Sequence, residues 1–179
     1  MRTVAADPAV GAPDHGAPTA FASLFHDAFE PMKRFAYLLG ADDPENIAQE
    51  AFVRLHKSWD GLHEDAKALA YLRQIVVNLC RSRLRHLRVV RRTPADLPPD
   101  ELSAEHHVLV GQEHHRLRAA LRRLARRQRE VLVLRYWLDL GQAEIAETLG
   151  ISVGTVKATT SHALANLRKR IDEVEGRHE

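Results

Sequence analysis

The sequence predicts an all-α protein made of two small helical modules joined by a flexible acidic linker. Apolar residues recur at the spacing of a helix face from Phe21 onward, and no segment shows the alternation typical of a strand. The segment 93–105 holds three prolines and four acidic residues, a composition that cannot form part of a core. With 179 residues in all, each module has room for one modest core.

The first module is predicted to begin after a tail. Residues 1–18 are rich in alanine, proline and glycine and are expected to be disordered. A helix should begin near Phe21. Pro31 should either end that helix or start the next segment, because proline cannot donate the backbone hydrogen bond of a helix interior. The next segment, 32–39, should stop at Gly40.

Two further helices complete the first module. Asp43 and Pro44 match the N-cap and the first position of a helix that runs to about Ser58. A long helix is predicted from about Ala66 to Arg92. Each has an apolar face that we expect to be buried, comprising Ile47, Ala51, Phe52 and Leu55 on the first and Leu69, Leu72, Val76 and Leu79 on the second.

The second module is predicted to contain four helices, at about residues 106–124, 128–137, 142–149 and 153–170. The last two have the pattern of a helix-turn-helix. Gly150 stands where the chain must turn, often with positive φ, and Ser152 is a suitable N-cap for the final helix. Gly141 replaces a hydroxyl N-cap on the preceding helix and leaves Glu144 as half of a capping box. The shared core should consist of Ile145, Leu149, Ile151 and Val156. Such a pair can place its second helix in a DNA major groove, whereas the alternative is a plain helical hairpin.

Arginine is clustered, although the formal net charge is only +2. Six arginines fall between Arg81 and Arg92, and seven between Arg116 and Arg129. Such clusters fit faces that meet phosphate, and they fit equally well ordinary solvated helix faces. On the long helix, four arginines form one stripe at helical spacing: Arg81, Arg85, Arg88 and Arg92. Like charges stacked in this way repel, and a phosphate backbone would give them a partner.

Several kinds of site are not expected. Cys80 is the single cysteine, which excludes an internal disulfide and a zinc site built of cysteines. No i, i+4 pair is found among the four histidines that bracket one helix, so no metal is expected at His106, His107, His114 and His115. With no phosphate-binding glycine loop and no nucleophile elbow, we expect neither a catalytic residue nor a cofactor. Without a signal peptide or a long apolar run, a cytoplasmic protein is expected.

Two motifs resemble a known family. Residues 43–57, Asp-Pro-Glu-Asn-Ile-Ala-Gln-Glu-Ala-Phe-Val-Arg-Leu-His-Lys, resemble the second conserved region of bacterial sigma factors, in which Gln49 and Glu50 are the most recognisable pair. Residues 127–137, Arg-Gln-Arg-Glu-Val-Leu-Val-Leu-Arg-Tyr-Trp, resemble the fourth region, and the helix-turn-helix follows them. In order and separation they are similar to the extracytoplasmic-function (ECF) sigma factors of the sigma-70 family, over about residues 20–172.

The resemblance implies an organisation and a set of partners. Residues 19–92 would be a region-2 domain that binds core RNA polymerase and recognises and melts the −10 element. After the linker, 106–172 would be a region-4 domain that binds the −35 element, and 173–179 a tail. The implied partners are core RNA polymerase, promoter DNA and an anti-sigma factor, with no insertion into a membrane.

The resemblance also assigns residues of the first module. Asn46, Gln49 and Glu50 would contact the largest polymerase subunit, although without the family they would be interpreted as a solvated helix face. The −10 element would be contacted by Trp59, Tyr71, Asn78, Arg81 and Arg85. The two aromatic residues suit an unstacked base, and Trp59 is an equally plausible core residue.

In the second module, the resemblance assigns the −35 element to Thr155, Lys157, Ala158, Ser161 and His162. Thr155 lies near the helix N-terminus, where a phosphate is favoured, and the other four match base-facing positions. The family commonly has serine where this chain has Ala158 and arginine where it has His162. Losing the arginine puts guanine readout at that position in doubt.

Three other protein classes compete with this interpretation. A helix-turn-helix regulator that is not a polymerase subunit would need a sensory domain upstream, usually with strands, and 20–92 shows none. A sigma-sequestering protein would not need both sigma motifs intact. An enzyme would need one of the catalytic signatures that the sequence lacks. Promoter-dependent initiation with core polymerase distinguishes a sigma factor from all three.

Overall fold

The computed structural model describes residues 16–59, 65–90 and 112–175, and the predicted linker at 93–105 lies outside these ranges. Within them the chain forms seven helices and no strand, which confirms the all-α class. In chain order they are α1 (Gly16–Leu38), α2 (Pro44–Lys57), α3 (Asp65–Val90), α4 (Gln112–Arg122), α5 (Arg126–Tyr136), α6 (Gln142–Leu149) and α7 (Val153–Glu175).

α1 is one continuous helix, so the predicted interruption at Pro31 is wrong. Pro31 is itself exposed, whereas its neighbours Ala28, Met32 and Phe35 are buried. The carbonyl that proline leaves without a partner belongs to an exposed residue four positions earlier, where water can satisfy it. Burial of the flanking residues therefore outweighs a local cost of about 3 kcal/mol.

The outer ends of the helical part also differ from the prediction. α1 begins at Gly16, inside the tail predicted for 1–18. At the other end α7 reaches Glu175, whereas the tail was predicted to begin at residue 173. Residues 1–15 and 176–179 lie outside the described ranges.

Gly40 ends α1 as predicted, in a left-handed conformation with φ of 94°. Its amide donates to Tyr37 O at 3.0 Å, and the amide of Ala41 donates to Ala36 O at 3.0 Å. This pair of bonds is the Schellman arrangement, which satisfies carbonyls that the end of a helix leaves free. The φ value is one that glycine adopts at little cost.

The start of α2 confirms the predicted cap. A carboxylate oxygen of Asp43 accepts a hydrogen bond of 3.1 Å from the amide of Asn46, and Pro44 occupies the first turn. The cap satisfies one of the amides that have no partner within the helix. It thereby fixes where α2 starts, and with it the register of the polar residues on its outer face.

α3 is buried on more sides than its predicted apolar face. The residues predicted to be buried on α2 and α3 are buried, except Leu69, which is half-buried. α3 buries Ile75, Val77 and Cys80 in addition. Since successive helix positions point in different directions, α3 must be covered by more than one neighbour. α1 and α2 pack on it within the first module, and α6 of the second module packs on it as well.

The two modules share one hydrophobic cluster. It contains Phe35 and Leu72 from the first module and Leu134 and Ile145 from the second. In the second module α7 packs across α4, α5 and α6. The modules are thus packed together in this structure and are not merely tethered. Over the described ranges, no helix is both long and apolar enough to cross a bilayer.

Candidate nucleic-acid interface

The turn between α6 and α7 has the geometry predicted for it. Gly150 adopts φ of 65°, and its amide donates to Glu147 O at 3.3 Å. The amide of Ile151 donates to Ala146 O at 3.0 Å. These bonds form a second Schellman arrangement, which ends α6 sharply and reverses the chain into α7.

The core of this helix pair is also as predicted. Ile145, Leu149 and Val156 are buried, and Ile151 is half-buried. At the start of α6, a carboxylate oxygen of Glu144 accepts a hydrogen bond of 2.8 Å from the Gly141 amide, which confirms the half capping box. The two helices are thus fixed at both ends of α6 and along the seam they share.

Ser152 is the N-cap of α7. Its hydroxyl oxygen accepts from the Thr155 amide at 3.1 Å, and the two side-chain hydroxyls lie 2.8 Å apart. The cap therefore already engages the amide of Thr155. A phosphate at this position would meet the pair of hydroxyls, and the predicted contact of Thr155 with DNA stays a prediction.

One face of α7 is free to meet DNA. The structure places four of the predicted residues on it, all exposed: Lys157, Ala158, Ser161 and His162. Val156 and Ala163 lie on the other side of the helix and are buried in the module core. The hydroxyl of Ser161 donates to Lys157 O at 3.3 Å, a bond that it can exchange for a base or phosphate. The four side chains thus lie on one exposed face of α7, and their contact with DNA stays a prediction.

The outer face of α2 combines polar and apolar groups. Asn46 and Gln49 are exposed, and Glu50 forms an ion pair of 2.5 Å with Arg54. The Glu50 side chain keeps 42% of its surface exposed in that pair. The three predicted polymerase contacts therefore lie along one accessible helix face.

Beside that face lies an apolar groove that was not predicted from the sequence. Its volume is about 390 Å³, and it is lined by Phe21, Phe25, Gln49, Phe52, Val53, His56 and Lys57. Phe25 and Val53 are 41% and 54% exposed, unusually high for such residues. Val53 follows Gln49 by one helical turn and therefore lies on the same, otherwise polar, face of α2. This apolar residue was the feature of the sequence that could have indicated the groove.

Trp59 packs on the first module. Its ring centroid lies 5.0 Å from that of Phe21, with the planes at 86°, and the residue is half-buried. This is the core position that the sequence left as one of two alternatives. Tyr71 on α3 is 36% exposed. A role for either ring at the −10 element stays a prediction.

On α3 the predicted DNA contacts are not equivalent. Asn78 and Arg85 are exposed. Arg81, by contrast, forms two hydrogen bonds with Glu130 of α5, from Nε at 2.8 Å and from Nη2 at 2.9 Å. The Arg81 and Glu130 side chains are only 18% and 4% exposed. Arg92, at the end of the predicted stripe, lies outside the described residues.

Glu130 is surrounded by guanidinium groups. Besides Arg81, Arg127 approaches it at 3.3 Å and Arg126 at 3.6 Å. Because Arg81 donates these hydrogen bonds to the Glu130 carboxylate, the pKa of Arg81 is raised above its ordinary value. The carboxylate therefore links the two modules through charge-assisted bonds. One feature of the sequence could have indicated this link and was not used: Glu130 directly follows the cluster of seven arginines between Arg116 and Arg129.

Two other arginines of that run are buried between the modules. Arg118 donates to Ala41 O at 3.3 Å and is 3% exposed. Arg129 is 7% exposed, and its Cζ lies 3.3 Å from where a Cβ on Gly40 would be. The sequence left this run as either a phosphate-binding or a solvated face, and for these two residues neither alternative holds.

Comparison with known proteins identifies both modules. Residues 30–89 match the family model of sigma-70 region 2, and residues 114–167 match that of sigma-70 region 4. The RNA polymerase sigma-E factor of Streptomyces avermitilis is 34% identical over 163 residues, which cover 88% of each chain. The ECF RNA polymerase sigma factor SigM of Mycobacterium tuberculosis is 28% identical, over 84% of this chain and 76% of that protein.

Two solved structures have a similar fold. CnrH in complex with the cytosolic domain of CnrY gives a TM-score of 0.66 at 24% identity, over 88% of this chain and 95% of that one. The sigma factor RpoE of Bartonella quintana, in complex with the anti-sigma factor NepR, gives a TM-score of 0.68 at 20% identity. That match covers 85% of this chain and 96% of the other.

A region-2 module followed by a region-4 module that contains a helix-turn-helix defines a transcription initiation factor of the sigma class. The chain belongs to the sigma-70 family, in its ECF group.

Proposed function

We propose that this protein binds core RNA polymerase and directs it to particular promoters. The observation that carries the proposal is the presence, in one chain, of both sigma regions together with an exposed recognition face on α7. The proposed role requires a cytoplasmic protein, and it includes no catalytic step, cofactor or metal. The domain limits proposed are 19–92 for polymerase and −10 binding and 106–172 for −35 binding.

For the −35 element we propose readout by α7. Lys157 and Ser161 can donate to base edges or phosphate, and Ala158 can offer only an apolar contact, such as one to a thymine methyl group. His162 supplies one donor and one acceptor where an arginine would supply a fork. Thr155 is assigned to phosphate at the start of the helix.

For the −10 element we propose that α3 supplies the contacts. Asn78 and Arg85 are accessible already, and Arg81 becomes accessible when its bond to Glu130 is released. Trp59 and Tyr71 are assigned to unstacked bases. Of these two residues, Trp59 also contributes to the packing of the first module, because its ring is half-buried against Phe21.

For polymerase we propose the outer face of α2, with Asn46, Gln49 and Glu50. Protein interfaces that form and dissociate usually combine an apolar centre with polar residues around it, and this face of α2 has both. An anti-sigma factor belongs to the same proposal, because RpoE of this fold was solved with one.

The test is initiation in vitro. Transcript starts are first mapped after overexpression, and templates carrying those starts are then given to core polymerase lacking any other sigma factor. We expect initiation at the mapped starts only when the chain is added, and its loss when the −35 element is replaced. A chain that binds the template but supports no initiation would instead be a helix-turn-helix regulator.

A further inference from the structure

The second module covers part of the α3 face that is proposed to meet the −10 element. α6 packs on α3, and Glu130 of α5 holds Arg81 by two hydrogen bonds. Arg81 Nη1 lies in addition 3.4 Å from Asn78 Oδ1. In this arrangement the Arg81 guanidinium is committed to protein and cannot also bind a phosphate.

We propose that Arg81 exchanges partners: it binds Glu130 in a closed form of the free protein and promoter phosphate once the modules separate. The inference rests on the proposed function, because it takes the role of Arg81 at the −10 element from there. The chemistry suits both partners, since a guanidinium binds a carboxylate or a phosphate through the same planar pair of N–H groups. The arginine is charged at every working pH, so the exchange is a competition between two anions.

Two other cations in the described part of the chain reach Glu130, and both approach it less closely than Arg81 does. Arg127 and Arg126 approach Glu130 at 3.3 and 3.6 Å, both longer than either bond from Arg81. When the modules separate, Glu130 gains water and keeps these two neighbours, which lowers the cost of opening. Polyanionic DNA can then compete with Glu130 for the Arg81 guanidinium.

Polymerase can bind before the modules separate. Asn46 and Gln49 on the outer face of α2 are exposed in the closed form. None of the contacts at Arg81, Gly40 or Arg118 uses that face. Capture by polymerase and opening toward DNA are thus separate steps on separate surfaces, and the free protein is expected to bind promoter DNA poorly.

Cys80 supplies a direct measure of closure. It is the single cysteine, it is 3% exposed, and it lies near Arg129 and Glu130 of the second module and Asp42 of the first. Its reaction with a thiol reagent such as 5,5′-dithiobis(2-nitrobenzoate) requires this region to open. The rate can be followed on the full chain without DNA or polymerase.

The first arm of the experiment compares Glu130→Gln with Glu30→Gln. The control removes the same charge from an exposed site on α1. We expect Glu130→Gln to react about tenfold faster than wild type, the order expected for losing the charge on one partner of a part-buried pair. The control should react like wild type. Equal rates for Glu130→Gln and wild type, with both folded by circular dichroism, would overturn the proposal.

A double-mutant cycle guards against simple unfolding. Arg81→Ala and Glu130→Gln should each accelerate the Cys80 reaction, and the two together should accelerate it little more than either alone, because both remove the same pair. Accelerations that multiply in the double variant would mean that the pair does not hold the modules closed.

The second arm measures binding to promoter duplex without polymerase. Glu130→Gln should bind several-fold more tightly than wild type, and adding Arg81→Ala should remove that gain while Cys80 stays reactive. A gain that survives Arg81→Ala would refute the exchange of partners. If the proposed function were wrong, promoter-dependent initiation by the wild-type chain would fail instead, whatever the Cys80 rates.

Discussion

The guanidinium carbon of Arg118 lies 3.7 Å from the centroid of the Tyr37 ring, so a buried cation of the second module rests on an aromatic face of the first. Arg118 also donates to Ala41 O. A cation and a π face attract more strongly when water is excluded. The junction of the modules is thus built of specific polar contacts as well as apolar packing.

Replacing Tyr37 with leucine should destabilise the protein by about 1–2 kcal/mol beyond the effect of Tyr37→Phe. Phenylalanine keeps the aromatic face under Arg118, whereas leucine leaves the buried guanidinium without it. The free energies of unfolding of both variants are measured in urea. Equal losses for the two variants would show that the ring contributes only its apolar surface.

Gly40→Ala should cost about 1–2 kcal/mol, because a side chain is disfavoured at φ of 94°. The new methyl group would also lie 3.3 Å from Arg129 Cζ and crowd it. Gly154→Ala, inside α7, is the matched control: its methyl group would meet nothing closer than 3.8 Å, so it should stabilise the helix slightly. Unfolding free energies that fall alike in both variants would contradict this account.

The thiol of Cys80 should make the protein less stable at alkaline pH. Burial raises the pKa of Cys80 from 9.0 to about 12, with Arg129 opposing. Below the unfolded pKa both states are protonated, and stability is fully present. As the pH rises toward the folded pKa, only the unfolded chain ionises, so the free energy of unfolding falls by about 1.4 kcal/mol per unit.

The measurement compares wild type with Cys80→Ala. Between about pH 8 and about pH 10.5, the unfolding free energy of wild type should fall by about 2 kcal/mol more than that of the variant. Other groups that titrate in this range contribute equally to both proteins, so their contributions cancel when the two unfolding free energies are subtracted. Parallel curves for the two proteins would mean that the thiol is not held protonated by burial.

Gln49→Ala combined with Glu50→Arg should abolish co-purification with core polymerase and leave helicity unchanged. Both side chains reach solvent, and the Glu50–Arg54 pair that is lost is worth about 0.3–0.5 kcal/mol at a surface. Glu30→Arg makes the same change of charge on the exposed part of α1 and should still bind. Retained binding by the double variant would remove α2 from the proposed interface.

His162→Arg should raise affinity for any −35 duplex, through attraction to phosphate, and should shift preference at one base toward guanine. If residue 162 faces a base edge, the discrimination should be about 1–3 kcal/mol. Ala22→Arg adds the same charge at an exposed site on α1 and should leave base preference unchanged. Readout would have to rest on Lys157 and Ser161 if His162→Arg changes neither quantity.

The sequence by itself determined the local structure. Gly40 and Gly150 marked helix ends because few other residues adopt positive φ, and Asp43 and Ser152 marked helix starts because their side chains cap amides. The base-facing residues of α7 came from the resemblance to a family, and the structure places them on one exposed face. These features depend on residues within one or two turns of each other, so the chain encodes them where they occur.

Only the tertiary structure decided what lies between the modules. Arg81 and Arg118 looked like surface cations, because nothing near them in the sequence says that a carboxylate or a tyrosine from the other module will approach. The same lack of local information made Pro31 look like a helix end, although buried neighbours keep α1 continuous. Burial and ion pairing depend on residues far apart along the chain, and their energies exceed the local preferences that a sequence displays.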